Sequence, residues 1–224
     1  MIKYVLFDLD GTLLSTLDTI AYHLNLTISS RRLGEVTVED CRQFIGNGAR
    51  KLVTRALAKN GVDDEETISE VLLEYNKAYD SDPLPLTKPY DGVVSLVDKL
   101  YDMGVTLVVV TNKPEPTAVQ LVENFFPGKF AVVSGGREGA ILKPDPTESL
   151  DIIARLGGAP SECAFVGDTN VDIKTGKNIA AALTIGVSWG FRSREELLEA
   201  GADFVADKAD DVLSAIMRQT PASE

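Results

Sequence analysis

Histidine is nearly absent from this chain: His23 is the one imidazole in 224 residues. Cysteine is scarce too, with Cys41 and Cys163 far apart, and Trp189 is the only tryptophan. Each shortage removes a kind of chemistry. One imidazole leaves little room for a Ser-His-Asp triad, a His-rich zinc site or a catalytic thiol with a partner base. Two cysteines in no metal-ligand spacing point to a reducing compartment, with both acting as small buried apolar residues. No apolar run approaches a membrane span, and no basic stretch leading into an apolar one opens the chain. Neither a membrane partner nor a signal peptide is expected, and the expected location is cytoplasmic.

Positive charge is also short. Lys plus Arg number 22 against 34 Asp plus Glu, a net charge of −12. A surface of that sign repels a nucleic-acid backbone, so no DNA or RNA partner is expected. An anionic substrate would need a local cation, either a metal ion or a few placed lysines. What is present is ordinary for a globular protein: 44% hydrophobic and 25% charged residues, with length for one large domain or two small ones.

Short, continuous apolar runs rich in Val and Ile recur at Tyr4 to Phe7, Val105 to Val110, Phe130 to Val133, Ala164 to Val166 and Ala182 to Val187. Runs of this kind read as strands buried on both faces, as in a parallel sheet. Helical patterns lie between them at Gly92 to Met103, Pro116 to Phe125, Pro146 to Leu156, Asn170 to Ala181 and Ala209 to Met217. The alternation predicts an α/β fold with a doubly wound parallel sheet, Rossmann-like in kind. One stretch breaks it. Four helices and no strand are expected between Thr16 and Asp82, at Leu17 to Ser30, Val38 to Phe44, Ala49 to Asn60 and Glu65 to Tyr79. The predicted organisation is a core of residues 1–15 and 83–224 with an inserted all-helical cap domain of residues 16–82. The tail from Thr220 to Glu224 is expected to fray.

Carboxylates collect where these strands end. Asp8 and Asp10 follow the first run, and residues two apart in extended chain point the same way. Asp168 and Asp172 follow the run Ala164 to Val166, at the same edge of the sheet. Acids at two converging strand ends suggest a shared hard cation, with magnesium the natural choice for oxygen ligands; helix capping is the competing account. Thr111-Asn112-Lys113 ends a third strand and offers a hydroxyl, an amide and backbone N–H groups. Lys143, next to Pro144, offers a fixed positive charge for a phosphate. A metal, a carboxylate nucleophile, polar donors and a lysine at one edge equip phosphoryl transfer.

The set resembles the haloacid dehalogenase superfamily. Four motifs match in order: Asp8-Leu9-Asp10-Gly11-Thr12, then Thr111, then Lys143, then Gly167-Asp168 with Asp172. The resemblance implies that Asp8 attacks phosphorus to form an aspartyl-phosphate, and that Asp10 protonates the leaving oxygen and then activates water. It implies a Mg2+ ion held by Asp8, the Asp10 carbonyl, Asp168 and, directly or through its surroundings, Asp172. Thr111, Asn112 and Lys143 would hold the phosphoryl oxygens. The cap segment Phe44 to Ala49 with its Gly46-Asn47-Gly48 turn, and the linker Pro89 to Val93, are similar to the phosphoglycolate phosphatase branch. Ser15-Thr16 departs from the Asp-Ser often found there.

The expected activity is therefore hydrolysis of a small phosphorylated metabolite, with 2-phosphoglycolate as one candidate, by a monomer or homodimer. Asn47, Arg50 and Lys51 are cap candidates for substrate specificity; a solvated helix face is the alternative. A phosphomutase of the β-phosphoglucomutase type and a non-catalytic phosphate-sensing protein are the competing functions.

Overall fold

A computed structural model describes residues 1–137 and 139–219, so the tail expected to fray lies outside the described residues. Strand β1 (Tyr4–Phe7) leads to the two-residue β2 (Leu14–Ser15) and to helices α1 (Leu17–Ser30), α2 (Val38–Phe44), α3 (Ala49–Lys59) and α4 (Glu65–Ser81). The chain returns through β3 (Lys88–Pro89) and α5 (Val93–Asp102) to β4 (Thr106–Pro114), α6 (Glu115–Phe125) and β5 (Val132–Gly136). It continues through α7 (Thr147–Arg155), β6 (Cys163–Gly167), α8 (Asn170–Asn178), β7 (Leu183–Val187), α9 (Arg194–Glu199), β8 (Phe204–Ala206) and α10 (Ala209–Arg218).

Six strands form one parallel sheet in the order β5-β4-β1-β6-β7-β8. Side-chain alternation divides its two faces. Val5, Phe7, Leu107, Val109, Ala164, Val166 and Ile185 pack with α5, α6 and α10. Leu6, Val108, Val110 and Phe165 point the other way, onto Ile152 and Ile153 of α7. Burial on both faces is why these strands read as unbroken apolar runs. With β1 central, the chain winds outward to β5, crosses back to β6 and winds outward to β8. The strand ends around β1 therefore enclose the crevice at which such sheets bind ligands.

Three features differ from the sequence reading. Strand β4 runs on past the apolar run, through Thr111, Asn112 and Lys113 to Pro114, with an irregular register between Val110 and Pro114. Its partner β5 accordingly extends to Gly136, opposite Pro114. The short elements β8 and α9, and the antiparallel β2–β3 ribbon, were not expected.

Helices α1 to α4 close on an apolar cluster of their own, including Leu24, Ile28, Cys41, Val53, Ala56, Leu57 and Val71. Thr37 and Asp40 form a capping box at α2, and Asp64 caps α4 through the Thr67 N–H. Phe191, which follows β7, also joins this cluster and stitches the helices to the sheet edge. Among the described residues no helix is long and apolar enough to cross a membrane.

Candidate active site

Asp8 is the residue after β1, and Asp168 is the residue after β6, its hydrogen-bonded neighbour. Asp172 sits in the first turn of α8. All three are buried, and one oxygen from each lies within 4.8 Å of the others. The backbone makes room for them. Gly11 turns at a φ of +88°, and a Cβ there would overlap the Asp168 carboxylate. Gly190 lies close to Asp168 as well, where a Cβ would collide with its side chain and with the Gly11 carbonyl.

Each carboxylate has its own partners. Asp168 Oδ1 accepts from Thr12 Oγ1 at 2.9 Å, and Oδ2 accepts from the Phe191 N–H at 2.8 Å. Thr12 thus orients an acid 156 residues away. Asp172 Oδ2 accepts from the N–H and hydroxyl of Thr169 in a capping box, so the capping account holds for Thr169 alongside the site. Lys143 Nζ donates to Asp8 Oδ1 at 2.8 Å and to Asp172 Oδ1 at 2.7 Å. Asn112 anchors the loop that carries Lys143: its Oδ1 accepts the Lys143 N–H, and its Nδ2 donates to the Lys143 and Gly46 carbonyls. Thr111 is buried beside them on the cavity wall.

Three carboxylates against one ammonium leave excess negative charge in a desolvated place. Burial, then repulsion by Asp172, pushes the Asp8 carboxyl up to about 7. Burial, Asp172 and Asp8 hold Asp168 well above the carboxylate range despite its two donors. Burial would lower Lys143, but Asp172 and Asp8 outweigh it and hold the ammonium above its usual value. An all-oxygen set with more acids than ammonium groups fits a hard divalent cation such as Mg2+.

The Asp10 carboxylate stands apart from this trio. It accepts from Lys113 Nζ, at 3.1 Å to Oδ1 and 3.2 Å to Oδ2. Both face one cavity of about 70 Å³. The sheet edge supplies its floor. Its roof comes from α1, α3 and α4 and the turn before α3, through Ile20, Ile45, Leu52, Tyr75 and Tyr79. Asn47, Arg50 and Lys51 lie outside that wall. Asn47 accepts from Arg55, Arg50 pairs with Glu65, and Lys51 is exposed. The α3 face that meets the cavity carries Ala49 and Leu52 instead. His23 is buried among the inserted helices, between Tyr22 and Tyr79, with Nε2 hydrogen-bonded to the Asp82 carbonyl. Trp189 reaches the site's margin, donating from Nε1 to the Thr12 carbonyl.

A family model for haloacid dehalogenase-like hydrolases matches residues 5–185. The chain belongs to that family. Among its relatives, the phosphoglycolate phosphatase of Agrobacterium fabrum is 35% identical over 204 residues, spanning 90% of this chain and 87% of that one. Phosphoglycolate phosphatase 1 of Pseudomonas aeruginosa is 33% identical over 94% of this chain and 78% of its own length. A crystal structure of a candidate phosphoglycolate phosphatase from Lactobacillus delbrueckii subsp. bulgaricus superposes with a TM-score of 0.88. Its identity is 32%, over 96% of this chain and 98% of the other. This haloacid dehalogenase-like hydrolase thus shares both its parallel sheet and its helical insertion with that structure. Lys113 is the residue at the site that sequence reasoning passed over. The one signal was its place two residues after Thr111 on the same strand, hence on the same face.

Proposed function

We propose that this hydrolase is a Mg2+-dependent phosphatase acting on a small phosphomonoester, with 2-phosphoglycolate the leading candidate. The observation that carries the proposal is the buried trio Asp8, Asp168 and Asp172 with Lys143 bridging two of them. Such a trio sits in a chain 35% identical to a phosphoglycolate phosphatase. Residues 16–82 would serve as a cap over a site built in residues 1–15 and 83–224. Both cysteines are buried and unpaired, which suits a reducing compartment such as the cytoplasm.

In this reading an Asp8 carboxylate oxygen attacks phosphorus, the ester P–O bond breaks, and an aspartyl-phosphate forms. Asp10 gives the leaving oxygen a proton, then takes one from the water that releases inorganic phosphate and restores Asp8. The Thr111 hydroxyl, the Asn112 backbone and the Lys143 ammonium hold phosphoryl oxygens against the charge that develops there. Asp8, the Asp10 carbonyl and Asp168 would hold the metal, with Asp172 beside them. A bound Mg2+ would neutralise phosphoryl charge and screen Asp8 from the group it attacks. The apolar roof excludes water from the reacting atoms.

Purified protein with Mg2+ should release phosphate from p-nitrophenyl phosphate and from members of a phosphorylated-metabolite panel, and Asp8→Asn should abolish both activities. Full activity in Asp8→Asn would sink the mechanism.

A further inference from the structure

We propose that Lys113 is a positioning residue for the Asp10 carboxylate, and that Tyr79 of α4 locks Lys113 in that pose. The proposal rests on the reading of Asp10 as the proton donor and acceptor at the leaving oxygen. It assigns to Lys113 and Tyr79 a part in the reaction that the four motifs do not include.

The contacts are specific. Lys113 Nζ lies 3.1 and 3.2 Å from the two oxygens of Asp10, so one ammonium forks across the carboxylate and fixes its rotation. Neither partner is loosely held by solvent, since the side chains are 5% and 15% exposed. A lysine side chain has four rotatable methylenes, and an ammonium on such a stem does not fix a geometry by itself. Tyr79 supplies the missing constraint. Its hydroxyl accepts from Nζ at 2.9 Å, and its ring centroid lies 4.1 Å from the same atom. Tyr75 and His23 pack on the Tyr79 ring and hold it in turn.

Only two cations, Lys113 and Lys143, line the cavity among the described residues. Lys143 is taken up by Asp8 and Asp172, so Asp10 depends on Lys113 for its neutralisation. Strand β4 makes the arrangement possible. Its irregular continuation past Val110 carries Lys113 toward Asp10, and the Lys113 N–H meets the Thr111 hydroxyl at 3.2 Å. Tyr79, by contrast, comes from the inserted helices. The alignment of Asp10 is therefore complete only while α4 sits against the sheet edge.

Leaving-group chemistry tests this. An alkyl oxygen needs a well-placed acid as it departs, whereas p-nitrophenolate leaves with little help. The comparison is kcat/KM on 2-phosphoglycolate and on p-nitrophenyl phosphate for Mg2+-loaded wild type, Lys113→Met, Lys113→Arg and Tyr79→Phe. Lys113→Met should lose about 100-fold on the alkyl ester and less than about tenfold on the aryl ester. Lys113→Arg should recover part of the alkyl loss, and Tyr79→Phe should show a smaller loss with the same bias. Equal losses on the two esters overturn the positioning role, because damage to the fold, the metal site or the nucleophile lowers both alike. If Lys113→Met does not fold, Tyr79→Phe decides: a biased loss supports the proposal, and an even loss or none overturns it. Wild type that hydrolyses neither ester overturns the phosphatase reading itself, a result distinct from all of these.

Discussion

Replacing Asp8 by Asn should stabilise the metal-free protein above neutral pH while destroying its activity. Asp8 is an acid whose folded pKa is raised, from 3.8 to about 7, first by burial and then by Asp172. The folded state therefore binds its proton more tightly than the unfolded state between these two values. Over that window stability falls as pH rises, and the penalty is complete only above about 7. At about 1.36 kcal/mol per pKa unit the full penalty is roughly 4 kcal/mol. Asparagine keeps the shape and an acceptor for Lys143 but carries no charge to desolvate. That penalty already nets in the attraction of Lys143 for the charged carboxylate, so a stabilisation of up to about 4 kcal/mol is expected at pH 8. For a chain of this size that is a rise of up to about 10–15 °C in Tm. Thermal scans in a chelator at pH 5, 6.5 and 8 measure it. The difference between variant and wild type should grow across that series, and saturating Mg2+ should reverse the order at pH 8. A difference independent of pH, or a variant less stable than wild type at pH 8, would refute the reasoning.

Magnesium alone should raise the wild-type Tm at pH 8, by about 2.7 kcal/mol of stability at one hundred times its Kd, and by much less at pH 5 where protons compete for Asp8 and Asp168; calorimetry across a Mg2+ titration reads this. Gly190→Ala should destabilise the protein by about 1–3 kcal/mol and weaken Mg2+ binding, because its Cβ would push on Asp168 and on the Gly11 backbone; unchanged calorimetric stability and affinity would refute it. Arg192 donates to the Arg42 and Ile45 carbonyls at the end of α2, at 2.8 and 3.2 Å. Arg192→Ala should raise KM more than it lowers kcat, as steady-state kinetics on 2-phosphoglycolate will show.

Much of the architecture could be read from the chain because burial leaves a plain mark. Strands β1, β4, β6 and β7 are covered on both faces, so their Val and Ile runs are continuous. Strand β8 is three residues at the sheet margin and α9 is six residues with Leu197 its sole buried side chain, too little apolar pattern for either to register. The far half of β4 is polar because it lines the cavity, so the apolar run that marks the strand stops at Val110. At the site, Asp8, Asp168 and Asp172 were legible through their places at strand ends and in one first helical turn. Lys113 was not, since Asp10 lies 103 residues away in sequence and only the folded chain joins them. Arg50 and Lys51 left two readings open, recognition or a solvated helix face. Charge near a suggestive turn looks like recognition, but the amphipathic period of α3 turns Ala49 and Leu52 inward and leaves those cations with Glu65 and solvent.

The loop after β7 ties two events together within three consecutive residues. The Gly190 carbonyl accepts from Arg42, the Phe191 amide holds an oxygen of Asp168 while its ring lies among the inserted helices, and Arg192 grips the end of α2. A shift of the helices that carried Phe191 and Arg192 with them would move the amide that holds Asp168. Linkage between two such equilibria runs equally in both directions. If an ion held by Asp168 favours docked helices, docked helices favour that ion by the same free energy.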